Sequence, residues 1–274
     1  MARLLQVNFA RLWKTKTFWI CLALAAGLSI ASFFSMYSMR PIYAENIGSA
    51  LISNGSSVVL LSSILTGLYL GTDYSNGTIR NKLTVGRTRI EIYFANLITT
   101  AAAGVILLAS TWISVGAVGL CVGGKLGMPA EKLALDIAVC ICAMTALSAI
   151  FTVIGMLLSS KSTIVTLTII AALGMMMSGR MILSALAEPE FVSSVSVDED
   201  GNIAVDGQEP NPMYVSGIQR DVITVVNDVL PSGQLVQVEM GSVHNEELMP
   251  LYSLGVLAVS TAVGVLVFRK KDLK

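Results

Sequence analysis

Six stretches of this chain are too long and too apolar for water to be their solvent. They run over residues 18–37, 51–71, 92–122, 133–158, 164–187 and 249–268, and the only charges inside them are Asp136 and Arg180. The second becomes strongly apolar at Val58, after a less apolar lead-in from Leu51. A hydrocarbon core about 30 Å thick takes roughly 20 residues of helix to cross. Backbone amides find no partner in lipid, so each stretch must satisfy its own hydrogen bonds as a helix. The expectation is an all-α integral membrane protein, one domain over residues 1–274, crossing the bilayer six times. The third and fifth stretches are long enough to tilt or to continue beyond the membrane. Only 13% of the residues are charged, where a soluble domain carries about 25%, so a large water-soluble catalytic domain is excluded. The first stretch is longer than the apolar part of a cleaved signal, and no small-x-small site follows it, so it reads as a retained span.

Lysine and arginine set the orientation. With the N-terminus inside, thirteen of the eighteen basic residues fall on the inner side: Arg3, Arg11, Lys14, Lys16, Arg80, Lys82, Arg87, Arg89, Lys161, Arg269, Lys270, Lys271 and Lys274. Of the acids, only Asp73, Glu91 and Asp272 lie there. An even number of spans then leaves both termini in the cytoplasm. Residues 2–14 place Leu5, Phe9, Leu12 and Trp13 on one helical face, which suits either a helix lying in the inner interface or a simple basic flank. Residues 188–248, between the fifth and sixth spans, form a long acidic segment on the outer side. Within it, Val195-Ser196-Val197 and Ile203-Ala204-Val205 flank Asp200-Gly201 as a hairpin would. A helix is expected from about Tyr214 to Leu230, stopped by Pro231 and Gly233.

The inner segment over residues 73–89 is too polar to insert and too patterned for a mere linker. Ile79, Leu83 and Val85 make one face of a short helix, leaving Arg80, Lys82, Arg87 and Arg89 to face water or another protein. A positive-inside anchor is the plain alternative. Asp73-x-x-x-Gly77-Thr78-Ile79-x-x-x-Leu83, followed by Thr88-Arg89 and a new span, resembles the signature of type-2 ABC exporter permeases. The basic end Phe268-Arg269-Lys270-Lys271-Asp272-Leu273 is similar to that family as well. Asp73 stands where glutamate is common there, and Gly86 where proline is often found. The resemblance implies that Asp73, Gly77, Thr78, Ile79, Arg80, Leu83, Arg87 and Arg89 form a coupling helix that docks on a separate ATPase. It further implies two copies of that ATPase under a homodimer of this chain, and export of a peptide or hydrophobic small molecule. ATP and magnesium would be held by the ATPase, with no cofactor on this chain, no enzymatic activity of its own and no nucleic-acid partner.

Other features are weaker. Gly67 and Gly71 make a Gly-x-x-x-Gly pair that permits close helix contact, and Gly119, Gly123 and Gly127 repeat the spacing. Gly119-Leu120-Cys121-Val122-Gly123-Gly124-Lys125 mimics a phosphate-binding loop, but Leu126 stands where that loop needs Ser or Thr. Arg180 lies about 24 Å of helix from Ile164, within reach of the outer interface, where it can snorkel or take part in an outer gate. Met176, among Met175, Met177 and Met181, suits either lipid-facing filler or a path for apolar cargo. Cys140 and Cys142 lack companions for a metal site. His244 is the single histidine, and no nucleophile–base pair accompanies it. Two alternatives remain: a secondary transporter or channel, disfavoured because no carboxylate stands at mid-membrane, and a non-transporting sensor or immunity protein that binds a ligand through its outer segment.

Overall fold

A computed structural model describes residues 1–39, 47–197, 203–243 and 245–271. Six helices in it are long and apolar enough to cross a membrane, as the hydropathy pattern demands. The first described element is α1, Ala2–Lys14, and a single extended residue, Thr15, separates it from α2, Lys16–Met39. The Thr15 hydroxyl donates to the Arg11 carbonyl at 2.8 Å, tying up a helix-end acceptor at the bend. The buried stripe of α1 is Leu4, Asn8 and Leu12. That corrects the expected face of Leu5, Phe9, Leu12 and Trp13: Trp13 is exposed, and its ring meets Phe18 at 5.2 Å across the bend.

The second span is broken. A short α3, Ile47–Ile52, precedes α4, Gly55–Ser75. Backbone N–H groups of Ile47 and Gly48 donate to the Lys125 and Leu126 carbonyls at 2.8 and 2.9 Å. The stretch that mimics a phosphate loop is thus a ledge for α3, with Ile47 lying on Gly119. Helix α4 runs on past residue 71, so Asp73 belongs to its last turn and not to the following segment. Gly77 then takes φ 66°, a left-handed geometry that only glycine adopts without strain, and α5, Thr78–Thr84, begins. Gly86, at φ 87°, turns the chain again. Thr88 and Glu91 form a reciprocal capping box that starts α6, Arg89–Cys121. The bundle is completed by α7, Ala130–Leu157, by α8, Lys161–Ala187, and by the final helix after residue 248.

Small residues decide how these helices approach one another. A Cβ on Gly67 would stand 3.0 Å from the Val165 Cα, and one on Gly71 would stand 3.1 Å from the Lys161 Cα. The Gly-x-x-x-Gly pair of α4 is therefore the seat of α8 within one chain. Hydroxyls inside the bundle gain from pairing where water is excluded: Thr100 and Thr152 meet at 2.8 Å between α6 and α7, whereas the buried Tyr93 hydroxyl has no hydrogen-bond partner among the described residues. Ile113, Ile170 and Val259 point outward, where a lipid environment favours them.

Between α8 and the last span, β1, Phe191–Val197, pairs antiparallel with β2, Ile203–Pro210, with an irregularity at Ser194/Val195. The strands match the expected hairpin, whose turn at Asp200-Gly201 lies outside the described residues, as does His244. Helix α9, Gly217–Val229, is the expected one. Pro231 does not end helical structure, though. It opens α10, Pro231–Met240, because proline at the first helical position loses no hydrogen bond. Gly233 lets α10 pack on Gly179 of α8, at 3.0 Å from a Cβ there. Residues Pro231–Val238 are all buried, held by the Ser232 hydroxyl on the Met175 carbonyl at 2.8 Å and by the Ser253 hydroxyl on Gln234 Oε1 at 2.7 Å. Helix α11, Met249–Lys270, follows.

Gly71→Leu should force α4 and α8 apart and cost about 1–3 kcal/mol, whereas Gly174→Leu, which meets open space, should be neutral. Thermal unfolding in detergent checks the contrast.

Candidate functional site

Three helices, α4, α7 and α11, end at the same end of the bundle, where Met1 and Lys271 also lie. The Met1 ammonium is 3.1 Å from Glu91, and Arg89 reaches the Phe268 carbonyl at 2.9 Å. Each helix C-terminus presents unpaired carbonyls and a partial negative charge. Cations are the natural complement.

At the end of α4 the need is greatest, because Asp73 adds a full charge and is completely buried. Arg11 Nη1 of α1 donates to Asp73 Oδ1. Lys82 Nζ of α5 approaches Oδ2 at 3.4 Å. The Thr78 hydroxyl donates to Oδ1 at 2.8 Å, drawing the first turn of α5 onto the same carboxylate. A second layer fixes these donors. Lys82 also donates to Asn8 Oδ1 at 3.1 Å, and Asn8 Nδ2 donates to Asn96 Oδ1 of α6 at 2.9 Å. Tyr69 donates to the Asn8 carbonyl at 3.1 Å, and its ring lies 3.8 Å beneath the Arg11 guanidinium. Burial, and then the Arg11 charge, push the Lys82 ammonium down to about 8, so it remains cationic at neutral pH.

The other two helix ends are met similarly. Lys271 Nζ donates to the Met156 and Leu158 carbonyls at 3.0 and 2.8 Å, closing α7, and to the Tyr74 hydroxyl at 3.0 Å. Burial and Arg89 push this ammonium down to about 8 as well. Arg89 does the same for α11 through the carbonyls of Phe268 and Lys271.

This geometry divides the residues singled out in the sequence. Asp73, Gly77, Thr78 and Ile79 form an inward anchor: Ile79 is buried and Leu83 packs against the core beside it. Lys82 and Arg89, expected to face water or another protein, turn inward, onto a buried carboxylate and a helix terminus. Val85, expected on the apolar face, is 80% exposed instead. Arg87 lies 4.0 Å from Glu91, one turn into α6. What remains outward on α5 and its exit is Arg80, Asn81, Thr84 and Val85. The structure thus yields a short helix anchored on its inner side, with a small mixed polar–apolar outer face.

Met176 and Arg180 belong to a different place. Both lie on α8; Met176 packs against the core, while Met177 and Met181 are exposed. Arg180, on the later part of α8, donates to the Ser56 hydroxyl at 3.1 Å and sits 3.5 Å from Glu239 of α10. It therefore has protein partners while its side chain stays half exposed. Burial pushes the Glu239 carboxyl up. Sequence reasoning overlooked Asn8, Arg11 and Glu239 as partners. The spacing Leu4-Asn8-Leu12 held the signal for α1, since an asparagine in a buried stripe must be hydrogen-bonded. Among the described residues no group of His, Cys, Asp and Glu could hold a metal ion.

Asp73→Asn should leave Arg11 and Lys82 without a counter-charge and cost about 3–5 kcal/mol. The expected readout is a lower melting temperature in detergent, with faster proteolysis within residues 76–88.

No protein-family model matches this chain, and no curated protein matches it.

Proposed function

We propose that this chain is the membrane-spanning subunit of an ATP-driven exporter of the type-2 ABC permease kind, resident in a bacterial plasma membrane. The observation that carries the reading is the α5 platform: a short helix whose inner side is bolted to three other helices and whose outer face is free. A movement imposed on such a face passes to α1, α4 and α6 as a unit, because buried charge pairs and packed side chains do not stretch. The distribution of basic residues supports a cytoplasmic position for this face, with both termini on the same side and α1 in the inner interface. The segment after α8 then lies outside. Two copies of the chain, each over one ATPase subunit, form the working assembly. ATP and magnesium belong to the ATPase, which does the hydrolysis, and the cargo is a peptide or hydrophobic small molecule.

A second reading, a membrane sensor or immunity protein, is favoured by one observation: the segment after α8 is built into the bundle through α10. A ligand held there would be felt by α8 and α11 without any ATPase.

Co-expression with a neighbouring ATPase gene and purification in mild detergent separates the two. Wild-type chain should retain the ATPase, and the double variant Arg80→Glu/Val85→Asp should lose it by at least about tenfold, a difference of about 1.4 kcal/mol. Both positions are exposed, so the variant should melt like wild type. Retention by the variant would contradict the docking face. Absence of the ATPase from wild type would move the sensor reading to the front.

A further inference from the structure

At the end of the bundle away from Met1 and Lys271, a cavity of about 370 Å³ lies among the end of α2, α3, the first turns of α7 and the end of α10. Most of its wall is apolar, with Phe33, Tyr37, Ala50 and Ile52 on one side and Val238 and Met240 on the other. The Phe33 and Tyr37 rings are nearly parallel, at 16°, with centroids 6.4 Å apart. Two acidic residues, Asp136 and Glu239, and one basic residue, Lys132, also line it.

The two carboxylates are not equivalent. Glu239 accepts from the Ser56 backbone N–H at 3.3 Å and faces Arg180 at 3.5 Å. Asp136 is 1% exposed, and neither of its oxygens accepts a hydrogen bond from any described residue. Its nearest cation, Lys132, is 3.8 Å away and makes its close contact with Glu246 instead. A buried carboxylate with no donor is strongly unfavourable, because it has lost its water without replacement. The site therefore lacks a donor, and that donor has to be positively charged or strongly polar. The rest of the wall asks for hydrocarbon.

We infer that this cavity binds a small organic cation with an apolar body, whose ammonium donates to Asp136 while its hydrocarbon part lies against Phe33, Tyr37 and Ile52. The volume falls in the range of small-molecule sites, about 300–1,000 Å³. The aromatic rings add a favourable face for positive charge. A bare metal ion fits less well, since Lys132 stands beside the carboxylate and the apolar wall would stay wet. The inference rests on the cavity and not on the ATPase docking face.

The test is calorimetric titration of the purified full-length chain with naphthylmethylamine and with naphthalenemethanol, its neutral counterpart of the same shape. The amine should bind at least about tenfold tighter than the alcohol. Asp136→Asn should bring the amine down to the level of the alcohol. Ala50→Phe, which fills the cavity and keeps the carboxylate, should weaken both ligands about tenfold. Equal affinities for the two compounds on the wild-type chain, or binding of neither, overturns the assignment without recourse to any variant. Amine binding unchanged by Asp136→Asn also overturns it. Failure here with the ATPase still co-purifying removes the site and leaves the permease reading standing; success without an ATPase does the reverse.

Discussion

A single buried carboxylate organises one end of this molecule. Asp73 sits at the C-terminus of α4, where the helix dipole already disfavours negative charge, and it is wholly removed from solvent. Such a group is tolerable only when paired and hydrogen-bonded. Arg11 and Lys82 supply the charge and Thr78 supplies a further donor. In doing so they bring α1 and α5 onto α4. The Asn8–Asn96 bond extends the same network to α6. An interaction that is weak evidence for stability here fixes registration, because the donors to one carboxylate come from α1 and α5 at once.

Lipid as solvent explains much of the remaining architecture. With no hydrophobic force between apolar helices in a bilayer, close approach and internal hydrogen bonds must hold them. Gly67 and Gly71 admit α8, and Gly179 and Gly233 let α8 and α10 touch. The polar residues of α10 would be costly in hydrocarbon, yet Ser232 and Gln234 bond to carbonyls of neighbouring helices. The two ends of the bundle thus differ. One is closed by cations that meet three helix termini; the other is closed by a buried helix and keeps a cavity beside a carboxylate that accepts no hydrogen bond from any described residue.

The six spans were legible because a hydrocarbon core imposes a length and a composition that nothing else in this chain imitates. The short helix after α4 was legible too, from Ile79 and Leu83 at helical spacing between two glycines. Its inner partners were not. Lys82 and Arg89 look like solvent-facing cations in a basic loop, and only the three-dimensional convergence of helix ends shows what they bind. Pro231 misled for a related reason. A proline after a helix ends that helix by removing a donor, but the same missing N–H makes it a good first residue of the next one. Asp136 was legible as a charge inside an apolar stretch but not as part of a cavity, because the α3 and α10 residues that line it with Asp136 belong to elements the hydropathy profile does not resolve.

The measurement that bears most directly on the account is photocrosslinking from the outer face of α5. A benzophenone attached at V85C, in a chain whose four native cysteines have been replaced, is irradiated in membranes holding the co-expressed ATPase, beside the same probe at I113C on the lipid-facing surface. The account predicts an adduct with the mass of this chain plus the ATPase from position 85 and none from position 113. An ATPase adduct from neither position, or equally from both, would contradict it.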